Sequence, residues 1–129
     1  MGLDNGIRIA NKNRKDLRFW PFKYPFDKDF DGDVEVCYWR KCWGLRRDIL
    51  SIFGGIQEHA YEYKLTIDDV KNIRELIRGI LRNPSWWNDS IWEFEESERG
   101  LRDDAWNLWW LKLYMKLHPD EKVFFYDSY

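Results

Sequence analysis

Cysteine is scarce in this chain, with only Cys37 and Cys42 among 129 residues. No export signal accompanies them, so reduced thiols are expected and a disulfide framework is not. Long hydrophobic runs are missing too. The longest uncharged apolar stretch, WNLWWL from Trp106 to Leu111, falls far short of the roughly 18 residues that suggest a membrane span. The opening MGLDNGIRIANKNRK has no basic segment followed by an apolar one, and Gly6 stands where a myristoylation signal wants Ser or Thr. The expectation is a cytoplasmic protein without a lipid anchor. No sign of charge dominates: the net charge is −2 and the isoelectric point is near 5.7. Nothing therefore draws the whole molecule toward nucleic acid, whose binders carry a concentrated basic face.

Catalytic patterns are equally thin. Cys37, Cys42, His59 and His118 follow no regular zinc spacing, since C-x4-C with two scattered histidines matches neither finger nor ribbon. Neither cysteine sits beside a Gly-rich elbow or a helix N-terminus that would activate a thiolate. Glu58, Glu62, Glu93, Glu95, Glu96 and Glu98 read as a solvated acidic face. Gly54-Gly55 lacks the flanking pattern that cradles phosphate and reads as a helix stop. A non-enzymatic protein is the expectation.

What the chain has in abundance is aromatic residues, with nine Trp, seven Tyr and eight Phe, under a 34% charged composition. Such a chain is neither disordered nor membranous, and its length suits one domain over residues 1–129. Its organising stretch is LRDDAWNLWWLKLYMKL, Leu101 to Leu117. That stretch reads as a helix apolar on almost every side, with Trp109 facing the core, and an all-round apolar helix is buried. Around it, a strand is expected at 6–11, a proline-broken aromatic loop at 17–30 and an alternating strand at 34–43. A helix over 45–53 ends at Gly54-Gly55, and a strand follows at 59–65. Thr66-Ile67-Asp68-Asp69 is a capping-box signature, and the helix it opens runs to Asn83-Pro84. Strands over 91–95 and 122–129 complete the pattern. Regular βαβ alternation is missing, so the expected fold class is α+β: a small, mainly antiparallel sheet packed against about three helices, with the Trp-rich C-terminal helix buried.

Two stretches suggest ligands. Asp27, Asp29, Asp31 and Asp33 surround Gly32 at the spacing of a calcium loop, with Glu35 as a further carboxylate. The twelfth position is Tyr38 instead of a bidentate Glu, so an acidic hairpin turn is expected and Ca2+ is the alternative; no other cofactor is implied. The second signal is the aromatic surplus, which one small core cannot easily bury. Trp20, Trp86 and Trp87 lie in loops beside Pro21 or Pro84, and Arg46 and Arg47 fall on the outer face of the 45–53 helix. Exposed Trp beside Arg is the composition of an interface hot spot. The leading function is thus a non-enzymatic binding protein that engages a host or bacterial protein through these residues. A binder of a small nucleotide-like ligand, stacked between rings and arginine, is the alternative, and an enzyme with an unmarked carboxylate or metal site is the third reading.

The opening residues MGLDNGI resemble the start of small uncharacterised proteins found in phages and in bacteria that carry prophages. The resemblance covers those residues alone. It implies a phage-type accessory protein and no particular activity, cofactor or site.

Overall fold

The structure is a computed structural model that describes residues 4–10, 20–23, 33–40, 42–55, 61–83 and 98–128. Its elements run β1 (Asp4–Ile9), β2 (Val34–Arg40), α1 (Trp43–Ile52), β3 (Glu62–Lys64), α2 (Ile67–Arg82), α3 (Glu98–Leu117) and β4 (Val123–Ser128). The strands form one antiparallel sheet in the order β2-β1-β4-β3. Among the described residues, three helices and this sheet make an α+β fold. The expected strand over 91–95 lies outside the described residues.

The two ends of the described chain are the two central strands. Ile7 pairs with Phe125 and Ile9 with Val123, and these four side chains belong to the buried core. The C-terminal strand joins the sheet as expected, but at its centre, which is why Val123, Phe124, Phe125, Tyr126 and Asp127 are all buried in succession. The core fills with Val36, Cys37, Trp39 and Tyr63 from the sheet, Leu45 and Ile49 from α1, and Val70, Ile73 and Ile77 from α2. Leu101, Leu108, Leu111 and Tyr114 of α3 complete it.

Local chemistry sets the helix ends. Thr66 Oγ1 accepts from the Asp69 amide at 3.1 Å and Asp69 Oδ2 accepts from the Thr66 amide at 2.9 Å, the reciprocal capping box that the sequence predicts. At the end of α1, Gly54 and Gly55 take φ of 87° and 106°, and the Gly55 amide donates to Leu50 O at 2.9 Å, which turns the chain out of the helix. Gly6 is fixed for another reason: a Cβ there would lie 2.6 Å from the Tyr126 ring, which crosses β1 at that point.

Polar side chains also hold the core. Arg46 meets Asp127 through two bonds of 2.8 and 2.9 Å, and Asn5 Nδ2 donates to the same carboxylate at 2.7 Å. The three residues are buried and tie α1 to both central strands. Bidentate pairing of this kind satisfies a carboxylate that would otherwise be costly to desolvate. The outward position expected for Arg46 is therefore corrected: Asp127, on the neighbouring central strand, draws it inward, and Arg47 alone of the pair reaches solvent.

Candidate binding face

α3 is the Trp-rich helix, but its tryptophans are not its most buried residues. Its inner arc carries Leu101, Asp104, Ala105, Asn107, Leu108, Leu111, Tyr114 and Met115. Trp106 and Trp109 instead keep 42% and 39% of their surface in solvent, and Leu117 keeps 67%. The expectation that Trp109 faces the core is thereby overturned. A helix advances about 100° per residue, which sets Trp106, Trp109, Leu113 and Leu117 on the arc that also carries Arg102, Lys112 and Lys116. Those charges prefer water, so the rings beside them face outward.

Asn107 explains how the inner arc can be polar. Its Oδ1 accepts from the Lys23 amide at 2.7 Å, while Nδ2 donates to Lys23 O at 3.0 Å and to Val36 O at 2.9 Å. One buried amide thus clips the 20–23 segment and β2 to the helix. One turn earlier, Trp39 Nε1 donates to Asp104 Oδ2 at 2.8 Å. Burial pushes the Asp104 carboxyl up to about 7 from its ordinary 3.8, opposed by the bonds from Trp39 and Cys37. The Cys37 thiol is raised well above its usual range by burial and by the neighbouring Asp104, which leaves it unreactive.

The outward rings are held from beneath. Trp106 Nε1 donates to Pro21 O at 2.6 Å, and the Lys23 ammonium stands 4.7 Å from the centre of the same ring. Trp109 meets Trp110 edge to face, with ring centroids 4.9 Å apart and planes at 84°. Trp110 also contacts Trp106 at 6.0 Å. Trp20 fills the next layer, edge to face on Tyr114 at 5.3 Å. The result is a presented pair of indoles whose orientation is set before any partner arrives, the condition under which large aromatics bind with little ordering cost.

Of the residues expected to bind, Trp20 is half-buried in this foundation, Arg46 is in the core and Arg47 is exposed beside Asp48, with 3.4 Å between Nε and Oδ1. The structure does not bring these three together with one another. Trp86 and Trp87 lie outside the described residues, as do Asp27, Asp29 and Asp31 of the acidic loop. Asp33 is described and half-buried. Glu35 is committed elsewhere, accepting from Tyr126 Oη at 2.6 Å and from Arg8 Nε at 3.1 Å. Among the described residues no group of three His, Cys, Asp or Glu side chains is placed to hold a metal ion. No family model, curated protein or solved structure matches the chain.

Two other clusters could do chemistry. On the outer sheet face, Arg8 lies 4.1 Å over the Tyr126 ring, whose hydroxyl binds Glu35. Burial and then Glu35 raise the Tyr126 phenol, making it a fixed donor with no tendency to ionise. Tyr38 donates to Asp4 at 2.7 Å and is raised to about 12 by that bond first. Neither phenol is poised as an acid or base near neutral pH. Between α1 and α2 runs a groove of about 650 Å³ whose described lining includes Asp48, Asn72, Glu75, Arg82 and Asn83 and, among the described residues, no aromatic ring.

Proposed function

We propose that this chain is a non-enzymatic binding protein that engages another protein through the solvent face of α3. The observation that carries the reading is the outward Trp106–Trp109 pair, packed from below by Trp110 and braced by Pro21 and Lys23. Large aromatics left half in water on a rigid element gain most from desolvation by a partner, and interface hot spots are enriched in Trp for that reason. The opening likeness to phage and prophage proteins supports a bacterial protein as that partner and an accessory role for the chain. Stacking of a nucleotide-like ligand has less support, because among the described residues lining the α1–α2 groove none is aromatic.

The test pairs a binding readout with a folding readout. Trp106→Ala/Trp109→Ala should lose the protein that wild type recovers from bacterial lysate, with recovery lowered at least about tenfold, while its circular dichroism stays native. Tyr61→Ala, which removes another exposed ring away from α3, should recover the partner as wild type does. Full recovery by the folded double variant would place the binding surface elsewhere.

A further inference from the structure

The charges along the Trp109 side of the tryptophan face are of one sign. Several described cations have carboxylate partners: Arg8 with Glu35, Arg78 with Glu75 and Lys122 with Glu62, and, beside Trp106, Lys23 with Asp103 and Arg102 with Glu98. Along the seam between α2 and α3 the pattern breaks. Lys112 of α3 is held below its ordinary value by desolvation first, and then by the positive charges of Arg74, Lys71 and Lys116. Among the described residues none of Lys71, Lys112 and Lys116 forms an ion pair. Arg74 spends its Nε on the Ala105 carbonyl at 2.9 Å, which fixes its charge at this seam. Four like charges thus gather at the rim of an apolar ridge, and the Lys112 ammonium lies 5.8 Å from the centre of the Trp109 ring.

Resting on the binding face argued above, we propose that its partner is an acidic protein segment, whose carboxylates meet Lys112, Lys116, Lys71 and Arg74 while its apolar side chains cover Trp109, Leu113 and Trp106. Repulsion among these cations, offset by Glu75 at Arg74, makes an incoming anion more favourable than it would be at a fully paired surface. The other polyanions fit less well. A net charge of −2 sets the remainder of the molecule against a densely charged nucleic acid or an anionic bilayer, whose binding scales with the number of unopposed cations. The indoles are also locked against Trp110 and Pro21, which suits a shaped protein surface better than insertion among lipid chains.

Fluorescence anisotropy with the full chain tests this, using a dye-labelled Glu-rich amphipathic peptide as probe and its Lys-for-Glu counterpart as control. The Glu peptide should bind at low salt and weaken as salt screens the contact, and the Lys peptide should not bind. Lys112→Glu/Lys116→Glu should weaken the Glu peptide at least about tenfold without lowering the melting temperature, because the change removes repulsion from the fold. Lys112→Ala/Lys116→Ala should give a smaller loss in the same direction. Absent binding of the Glu peptide, equal binding of both peptides, or an unchanged affinity in the folded charge variants would overturn the proposal. Tighter binding of phosphatidylserine vesicles or of a dT oligonucleotide would do so as well. Should Trp106→Ala/Trp109→Ala lose the lysate partner while the charge variants keep it, the binding face stands and the acidic partner falls.

Discussion

α2 and α3 lie side by side in the same core yet divide their residues in opposite ways. α2 buries Val70, Ile73, Ile77 and Ile80 and leaves Lys71, Glu75, Arg78 and Arg82 in water, so residue hydrophobicity alone assigns its faces. α3 buries Asp104 and Asn107 and presents Trp106 and Trp109. The difference is one of what each helix must hold. The buried side chains of α2 are aliphatic and have no hydrogen bonds to satisfy, with Arg74 reaching the Ala105 carbonyl from the edge of the seam, whereas α3 also fastens the 20–23 segment and β2, and backbone groups there need polar partners inside. Aromatic residues displaced to the outer arc are then surplus to the core and open to a partner.

If polar groups inside are structural fasteners, removing them should cost more than removing rings outside. The largest effect is expected at the α1 equivalent of this inversion. Arg46→Ala strands the buried Asp127 carboxylate and should cost about 3–5 kcal/mol in urea denaturation, whereas Arg47→Ala, at an exposed pair, should cost under about 0.5 kcal/mol. Similar losses at the two positions would sink the distinction.

Asp104 gives a pH signature. Its carboxyl holds a proton to about pH 7 in the fold, against an ordinary value of 3.8. Between those limits the unfolded chain has released the proton and the folded chain keeps it, so this group's contribution to stability falls as pH rises from about 4 to 7 and is level above that. The shift sets a ceiling of about 4 kcal/mol. Asp104→Asn should keep an acceptor for Trp39 and remove that slope, so its stability relative to wild type should rise between pH 5 and pH 8. A constant difference across that range would show that Asp104 is ionised throughout.

On the α2 side, Thr66→Ala removes the acceptor for the Asp69 amide and should lower stability by about 1 kcal/mol. A loss below about 0.3 kcal/mol would mean that the capping box adds little to an end already held by Leu65 and Val70 in the core.

How far the sequence could be read follows the same division. Thr66, Asp69 and the aliphatic spacing of α2 mark that helix to within a residue or so, and Gly54-Gly55 marks the end of α1, because caps and periodicity are local. β1, β2 and β4 were legible from alternation and aromatic content, but the central place of β4 was not, since its pairing with β1 joins residues more than a hundred positions apart. The inner role of Arg46 depended on Asp127 for the same reason. On α3 the apolar count concealed the outward face, although Arg102, Lys112 and Lys116 share an arc with Trp106 and Trp109 and could have revealed it. Asn107 left no local signal, because all three of its partners come from other segments.

The most direct measurement is chemical denaturation of Asn107→Ala beside Trp109→Ala, two truncations two residues apart on one helix. Asn107→Ala leaves the Lys23 amide and the Lys23 and Val36 carbonyls without their partner and should cost about 3 kcal/mol or more. Trp109→Ala should cost only about 1 kcal/mol, well below the 3–5 kcal/mol of a buried tryptophan. The reverse order, with Trp109 the costlier loss, would mean that the outer ring belongs to the core and that the partner face of α3 does not exist.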